Sequence, residues 1–265
     1  MQVLNDDVKT TFYNFVISQI MKTLLPGLLS LAFSVNCLAQ SAEVPIDLPV
    51  VKEGDSWTYR ITSERGANGW EQNRDEIIVS RVTSSSIYFA SKRSGSTQPA
   101  KEVFSGMDWS RVRDVNGKET VVNKPLSFPL SPGKTWDVQY LELHPNKMHK
   151  SEQWNNRFKV MGVETVEVPA GKFRAIKIES EGRWTAELEP GQAVVQSAQT
   201  TPDQTTMVTQ LQKTNAEPVA GRTYKAFWYA PEVKRWVKSV EEYYSNSGVR
   251  NERYTGELES YKLSQ

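Results

Sequence analysis

Few side chains in this sequence could carry nucleophilic or metal chemistry. Its one cysteine, Cys37, lies in the N-terminal segment, and its two histidines, His144 and His149, are five residues apart. That spacing does not place two ligands on one helical face, no acidic cluster adjoins the pair, and a Gly-x-Ser-x-Gly elbow is missing from the sequence. We therefore expect no metal, no other cofactor and no Ser-His-acid triad, and interpret the histidines as part of a solvated hairpin loop.

Carboxylates are the remaining candidates for acid–base chemistry. The groups that stand out by spacing are Glu179, Glu181, Glu187 and Glu189, which share one strand parity, and the adjacent Glu241 and Glu242. A glycosidase needs two carboxyl groups facing each other across a cleft, a relation that spacing along one chain does not show. Acidic residues that alternate with basic ones are typical of exposed strand faces. We expect a protein that is not an enzyme.

Aromatic side chains are the candidates for ligand binding. The chain has eight Trp, ten Tyr and nine Phe, and aromatic residues occupy both strand faces between Tyr224 and Tyr229. Core packing is the ordinary explanation, and the alternative is that one face lines a concave surface that accepts an apolar guest. The candidate ligand-binding residues on this alternative are Trp57, Trp136, Phe158 and Trp228.

Strands are the elements that would have to position these residues. Trp57, Tyr59 and Ile61 alternate with polar residues, the period of a strand with one buried face, and no βαβ repeat is visible. Short turn signals such as Pro132-Gly133 separate successive strands. The pattern predicts a mainly β fold, a curled antiparallel meander sheet that forms a half-barrel or a partly closed barrel.

One segment departs from this composition. Residues 190–221 are rich in Gln, Thr and Ala and contain no aromatic residue. We predict a flexible insertion in the single β domain 40–265, either a mobile surface loop or a lid or partner-binding segment. Val194-Val195 and Met207-Val208 are compatible with a short hairpin within it.

An export signal precedes the domain. Met21-Lys22 is followed by a Leu-rich apolar run, and Cys37 and Ala39 provide small residues before Gln40. We expect translation to start at Met21, with residues 1–20 a spurious extension, and the signal peptide to be cleaved after Ala39. The mature chain would then have no cysteine and no transmembrane segment, and would be periplasmic or secreted. Lipidation at Cys37 is the alternative, but Asn36 does not fit a lipoprotein leader.

The balance of charges predicts no long-range attraction to a strongly charged partner. The chain has 32 basic and 31 acidic residues, and removal of residues 1–39 takes away Lys9, Lys22, Asp6 and Asp7, so the net charge stays near +1. No block of like charges occurs, so we expect no nucleic-acid partner.

Four motifs in order along the chain resemble the TapB-like family of exported bacterial proteins. They are Gly54-Asp55-Ser56-Trp57, Pro132-Gly133-Lys134-Thr135-Trp136, Val166-Glu167-Val168-Pro169-Ala170-Gly171-Lys172-Phe173 and Trp228-Tyr229-Ala230-Pro231-Glu232-Val233. The resemblance implies a curled sheet similar to the half-barrels that carry lipids and lipoproteins across the periplasm, and it supplies no catalytic residues. Structural turns are expected at Gly54, Gly133, Pro169, Gly171 and Pro231. Lys234-Arg235-Trp236 replaces a Gly-containing step of the family pattern.

Three functions remain open at this point. The first is a non-enzymatic envelope protein that binds or shuttles an apolar or lipid ligand, or an envelope protein partner. The second is a structural or assembly accessory, and the third is a hydrolase of envelope glycans. A concave apolar cavity would favour the first, a filled core with an exposed sheet edge the second, and two facing buried carboxylates the third.

Overall fold

A computed structural model describes residues 45–66, 69–201, 204–214 and 217–265, and gives the backbone alone for 191–201 and 204–214. The expected start at Met21, the signal peptide and Cys37 lie outside these residues. The strands within them are β1 (Ser56–Arg65), β2 (Gly69–Val82), β3 (Ser86–Arg93), β4 (Lys101–Gly106), β5 (Arg111–Val115), β6 (Lys118–Asn123), β7 (Thr135–Leu143), β8 (His149–Val168), β9 (Gly171–Leu188), β10 (Gly191–Thr201), β11 (Gln204–Thr214), β12 (Val219–Ala230), β13 (Arg235–Ser245) and β14 (Arg250–Lys262).

Ten of these strands form one sheet in the order β4-β3-β2-β1-β14-β13-β12-β9-β8-β7, and every neighbouring pair is antiparallel. The predicted mainly β, antiparallel class is confirmed. The sheet is open, with β4 and β7 at its edges, and is not closed into a barrel. The first and last strands meet inside it, because β14 lies between β1 and β13.

Two hairpins lie outside this sheet. β5 pairs with β6, and β10 pairs with β11 from Gly191–Thr214 to Thr201–Gln204. The second hairpin falls in the segment 190–221 that we predicted to be a flexible insertion. Its backbone is paired over eleven residues on each strand, so the hairpin is longer than the sequence suggested.

The register assigns each sheet residue to one of two faces, because cross-strand partners share a face. The covered face carries Trp57, Phe158 and Tyr229 and packs against residues 107–134. Leu126 and Leu130 of that segment are fully buried in the core. Alternate residues form the second face, here named the open face. Its members include Arg60, Arg157, Arg222 and Glu242.

The two Gly-x-x-Trp motifs have the same backbone arrangement. Gly54 and Gly133 have φ angles of +85° and +83°, which a residue with a Cβ adopts only with strain. Each glycine N–H donates to a valine carbonyl of a neighbouring strand, Val79 at 2.9 Å and Val160 at 2.8 Å. The N–H of each valine donates in return to the backbone carbonyl of the residue that follows the glycine. The repeated motif therefore starts β1 and β7 with one shared turn geometry.

The other expected turns lie at strand ends. Pro169 and Ala170 form the two-residue connection between β8 and β9, and Gly171 begins β9 with a φ of +131°. Pro231 begins the short 3-10 helix Pro231–Val233, which is followed by Lys234 at a φ of +60°. A lysine thus takes the left-handed position where the family pattern has its Gly-containing step.

Asn116, in the turn between β5 and β6, contacts the outer edge of β7. Its side-chain Nδ2 donates to the carbonyl of Leu141, and its Oδ1 accepts from the N–H of Leu143, both at 2.8 Å. One amide side chain therefore occupies the hydrogen-bonding groups at the end of this edge strand.

Candidate functional site: a polar groove on the open face

The four candidate aromatic residues do not form one surface. Trp57 and Phe158 are fully buried in the core, and Trp136 stacks on Phe158 with ring centres 5.4 Å apart. Trp228 lies on the open face, where its indole Nε1 donates to Glu164. The packing of Trp57, Phe158 and Trp136 agrees with the core-packing explanation, and ligand binding by the four residues stays a prediction.

A groove of about 940 Å³ lies on the open face. It crosses β7, β8, β9, β12 and β13. Its lining consists of Thr135, Asp137, Gln139, Asn155, Arg157, Lys159, Met161, Glu179, Glu181, Gly182, Arg183, Arg222, Thr223, Tyr224, Glu242 and Tyr244. Fourteen of these sixteen residues have a polar or charged side chain, and Met161 is the one aliphatic side chain, so most of the lining residues can form hydrogen bonds.

Strand register orders the lining into rows that run across the strands. The first row, here named the donor row, is Gln139, Asn155, Arg183, Arg222 and Tyr244, each opposite the next on adjacent strands. The second row is Asp137, Arg157, Glu181, Tyr224 and Glu242. The third row includes Thr135, Lys159 and Glu179. Acidic residues occur in the second and third rows, and the donor row has none.

Glu179 is held by partners within the protein. Lys177 Nζ lies 2.8 Å from its Oε1, and the Tyr224 hydroxyl donates to the same oxygen at 2.8 Å. The hydrogen bond from Lys177 lowers the pKa of Glu179, and Tyr224 adds to the effect. In return, burial and then the contact with Glu179 raise the pKa of Tyr224. Glu179 is therefore ionised and already satisfied at neutral pH.

Glu242 has three partners. The Tyr244 hydroxyl donates to it at 2.6 Å, and Arg250 and Arg253 approach it to 3.2 and 3.5 Å. The hydrogen bond to Glu242 is the main reason that the pKa of Tyr244 is raised. A second acid of the groove is therefore neutralised by side chains of its own sheet.

The cations of the groove are placed differently. Arg157, Lys159, Arg183 and Arg222 form no ion pair within 4.0 Å in the described part of the chain. Arg157 and Lys159 still lie opposite Glu181 and Glu179 on β9. Arg183 and Arg222 instead lie opposite each other, and the guanidinium of Arg222 lies 5.4 Å from the ring centre of Tyr244. The positive charge left for a ligand is thus greatest in the donor row.

A smaller pocket of about 250 Å³ lies on the covered face, near the β5–β6 hairpin. Its lining includes Arg113, Tyr140, Trp154, Lys225 and Glu241. Lys225 and Glu241 form an ion pair at 3.0 Å, and Tyr140 stacks on Trp154. These polar groups have partners within the wall, and the space is about that of eight water molecules.

Of the two histidines, His144 lies in the exposed loop between β7 and β8, as expected, whereas His149 begins β8 and has a mostly buried side chain. His149 Nδ1 lies 2.6 Å from Glu152, and His144 Nδ1 lies 3.0 Å from Glu189. Across the residues with described positions, no three His, Cys, Asp or Glu side chains are grouped so as to hold a metal ion.

Sequence reasoning missed the donor row. Its five residues come from five strands and are separated by up to 105 positions along the chain, between Gln139 and Tyr244. The alternation of Glu179, Glu181 and Arg183 on one parity was a visible signal. The partner of Arg183 across the sheet was not, because it depends on the β9–β12 register.

Within the described residues, no helix is long and apolar enough to cross a membrane. No family model matches the chain, and no curated protein matches it. The resemblance to the TapB-like family therefore stays a prediction.

Three solved structures are similar in fold to parts of the chain. A candidate lipoprotein from Parabacteroides distasonis is 12% identical, with a TM-score of 0.42, and the match covers 83% of this chain and 100% of that one. A candidate exported protein with a YmcC-like fold from Bacteroides fragilis is 15% identical, with a TM-score of 0.36 and the same coverage. The hypothetical lipoprotein YmcC from Escherichia coli is 11% identical, with a TM-score of 0.27, covering 76% of this chain and 83% of that one. Similarity at this level carries no argument about function.

Proposed function

We propose that this chain is a non-enzymatic binding protein of the cell envelope, and that its ligand is a hydroxyl-rich oligosaccharide segment held in the groove of the open face. The observation that carries the proposal is the lining of the groove, in which fourteen of sixteen residues have a polar or charged side chain. Such a lining provides hydrogen-bond donors and acceptors for hydroxyl groups. An apolar chain would leave many of these groups unpaired, at a cost of about 1–3 kcal/mol for each buried group.

The same lining argues against a protein partner in the groove. Protein interfaces draw most of their binding energy from aromatic or aliphatic anchors that fill desolvated pockets. Here the two tyrosine hydroxyls are engaged by Glu179 and Glu242, and Met161 is the one aliphatic side chain of the lining. A chain of sugar rings can instead be held by hydrogen bonds from its hydroxyl groups to the polar side chains of the groove.

The envelope location comes from the signal-peptide pattern at Met21–Ala39. The proposal that the protein is not an enzyme is supported by the partners of the groove acids. Glu179 and Glu242 are engaged by cationic and hydroxyl groups, as structural carboxylates are, and Glu179 has a lowered pKa. A general acid of a glycosidase requires a raised one.

A groove-blocking variant tests the proposal. Asn155 lies in the donor row, so Asn155→Trp should fill the groove, whereas Leu141→Trp places an indole on the same face of β7 outside the lining. We expect saturable binding of galacturonate or maltose oligomers to the wild type by calorimetry, loss in Asn155→Trp, and retention in Leu141→Trp. Saturable binding of a fluorescent fatty acid, with neither oligosaccharide bound, would replace the proposal by an apolar-ligand function.

A further inference from the structure

Arg183 and Arg222 form a like-charge pair across two adjacent strands. They are direct partners in the β9–β12 register, on the open face, and both are exposed. Like charges directly opposite each other in an antiparallel pair destabilise a sheet. In the described part of the chain no carboxylate lies within 4.0 Å of either guanidinium. The fold therefore gains nothing from this pairing.

The neighbours of Arg183 and Arg222 on the adjacent strands form a continuous polar surface with them. Asn155 lies opposite Arg183 on β8, and Gln139 lies opposite Asn155 on β7, where its Nε2 approaches Asn155 Oδ1 at 3.4 Å. Tyr244 lies beyond Arg222 on β13, beneath its guanidinium. With neighbouring strands about 4.8 Å apart, the five residues span about 19 Å across the sheet.

The second row differs from the donor row in that its arginine faces acidic residues. In the second row Arg157 lies between Asp137 and Glu181, so that its charge faces two acids on the flanking strands. In the donor row, Arg183 lies between Asn155 and Arg222. An anionic ligand aligned with the donor row would meet two guanidinium groups and no acid, whereas one aligned with the second row would meet three acids.

We infer that the donor row recognises acidic sugar units, with Arg183 and Arg222 each binding a carboxylate of an oligosaccharide that lies across the strands. This inference rests on the proposed function and names its ligand class. Guanidinium groups match carboxylates with two parallel hydrogen bonds, which a lysine cannot do. Stacking on Tyr244 limits the freedom of Arg222 before the ligand arrives, and the amides of Gln139 and Asn155 suit sugar hydroxyls.

The double variant Arg183→Gln/Arg222→Gln tests the inference, with galacturonate oligomers as the acidic probe and maltose oligomers as the neutral one. We expect the affinity for the acidic probe to fall at least tenfold and its salt dependence to weaken. The unfolding midpoint should not fall, because the repulsion is removed. The matched control is Lys101→Gln/Lys118→Gln, which removes the same charge from two exposed lysines outside the groove, and should bind as the wild type does.

Three outcomes would overturn the inference. One is an equal loss of affinity in the control, which would indicate attraction by net charge alone. A second is a lower unfolding midpoint in the double variant, which would make the arginine pair a structural feature. The third is equal binding of maltose and galacturonate oligomers by the wild type with no loss in the double variant, and this result would leave the proposed function standing. Binding of neither oligomer would instead refute the proposed function itself.

Discussion

The guanidinium of Arg235 lies 4.1 Å from the ring centre of Trp109 and 4.3 Å from that of Trp236. Arg235 is buried, and its Nε and Nη1 have no hydrogen-bond partner among the described residues. Burial removes water from the charge and lowers the pKa of this arginine, and the contact with Tyr59 opposes this effect. Two indole faces therefore stand where a buried cation would ordinarily have a carboxylate.

The first prediction concerns this pair. Trp109→Phe should lower the free energy of unfolding by about 1–2 kcal/mol, because a phenyl ring binds a cation less strongly and fills less space. Arg235→Met should change it by less than about 1 kcal/mol, since an apolar residue of similar size removes both the ring attraction and the unpaired donors.

Urea unfolding of the two single variants and the double variant gives the coupling between them. We expect Trp109→Phe to cost less in the Arg235→Met background, with a difference of about 0.5–2 kcal/mol. Additive costs would show that Trp109 acts through packing and its hydrogen bond to the Lys234 carbonyl rather than through Arg235.

The second prediction concerns Gly182. A Cβ at this position would overlap Asn156 Oδ1 and Thr223 Oγ1, and these two buried side chains hydrogen-bond to each other at 2.9 Å. Gly182→Ala should therefore lower the free energy of unfolding by about 1–3 kcal/mol, the usual cost of overpacking. Chemical denaturation measures the change. If the clash is the cause, the same substitution costs less in an Asn156→Ala/Thr223→Ala background; an unchanged cost there would place the cause in the backbone.

A pH dependence follows from the Arg113–Glu142 pair. The hydrogen bonds from Arg113 lower the pKa of Glu142 below its usual value. The stability that this ion pair contributes is thus fully present above the ordinary glutamate pKa of about 4.3, and it is lost as the pH falls through the lower folded-state value.

Glu142→Gln should accordingly cost about 1 kcal/mol at neutral pH and less at about pH 2.5, because the wild-type carboxyl takes up its proton as the pH falls through its lowered pKa. Urea unfolding at both pH values checks this. Glu119→Gln is the control, because Glu119 is exposed on β6 and has no ion pair among the described residues. A cost that is the same at both pH values would mean that Glu142 acts through packing.

The segment 190–221 should be the first site of limited proteolysis. A two-stranded hairpin has little stability of its own, and β10 and β11 pair only with each other in the described sheet order. Mass spectrometry of early fragments gives the cut positions. Initial cuts within 153–180 would show instead that the hairpin is protected and that β8 and β9 open first.

The exported protein should begin at Gln40. The motivation is the apolar run that ends at Cys37-x-Ala39, with small residues where signal peptidase requires them. Intact-mass measurement of protein from the cell envelope decides the matter. A diacylated product that begins at Cys37 would make the chain a lipoprotein and contradict the expected cleavage.

The local sequence pattern predicted the class of fold but not the order of the strands in the sheet. Alternation at Trp57 and Tyr59 indicated a strand with one buried face, and both residues are buried in β1. The place of β14 between β1 and β13 could not be predicted, since that pairing joins residues about 200 positions apart and leaves no local mark. The departure at Lys234 was visible in the sequence as a missing glycine, but its left-handed φ of +60° was not.

The candidate site was less predictable than the fold, for a physical reason. The aromatic residues were chosen as candidate ligand-binding residues, but Trp57 and Phe158 fill the core against residues 107–134. The sequence alone does not show which polar strand residues are neighbours across the sheet, because this depends on strand register. Arg183 and Arg222 are neighbours because of the β9–β12 register, which the sequence does not show.

The contact of Asn116 with Leu141 and Leu143 bears on self-association of the protein. An open sheet with two free edges can add further copies at both ends and so grow into a fibre without limit. Asn116 takes up an N–H and a carbonyl of β7, so an incoming strand cannot pair along the whole of that edge. Of the two edges of the ten-stranded sheet, β4, six residues long, lacks this block, and two copies joined through it would leave a blocked β7 edge at each end.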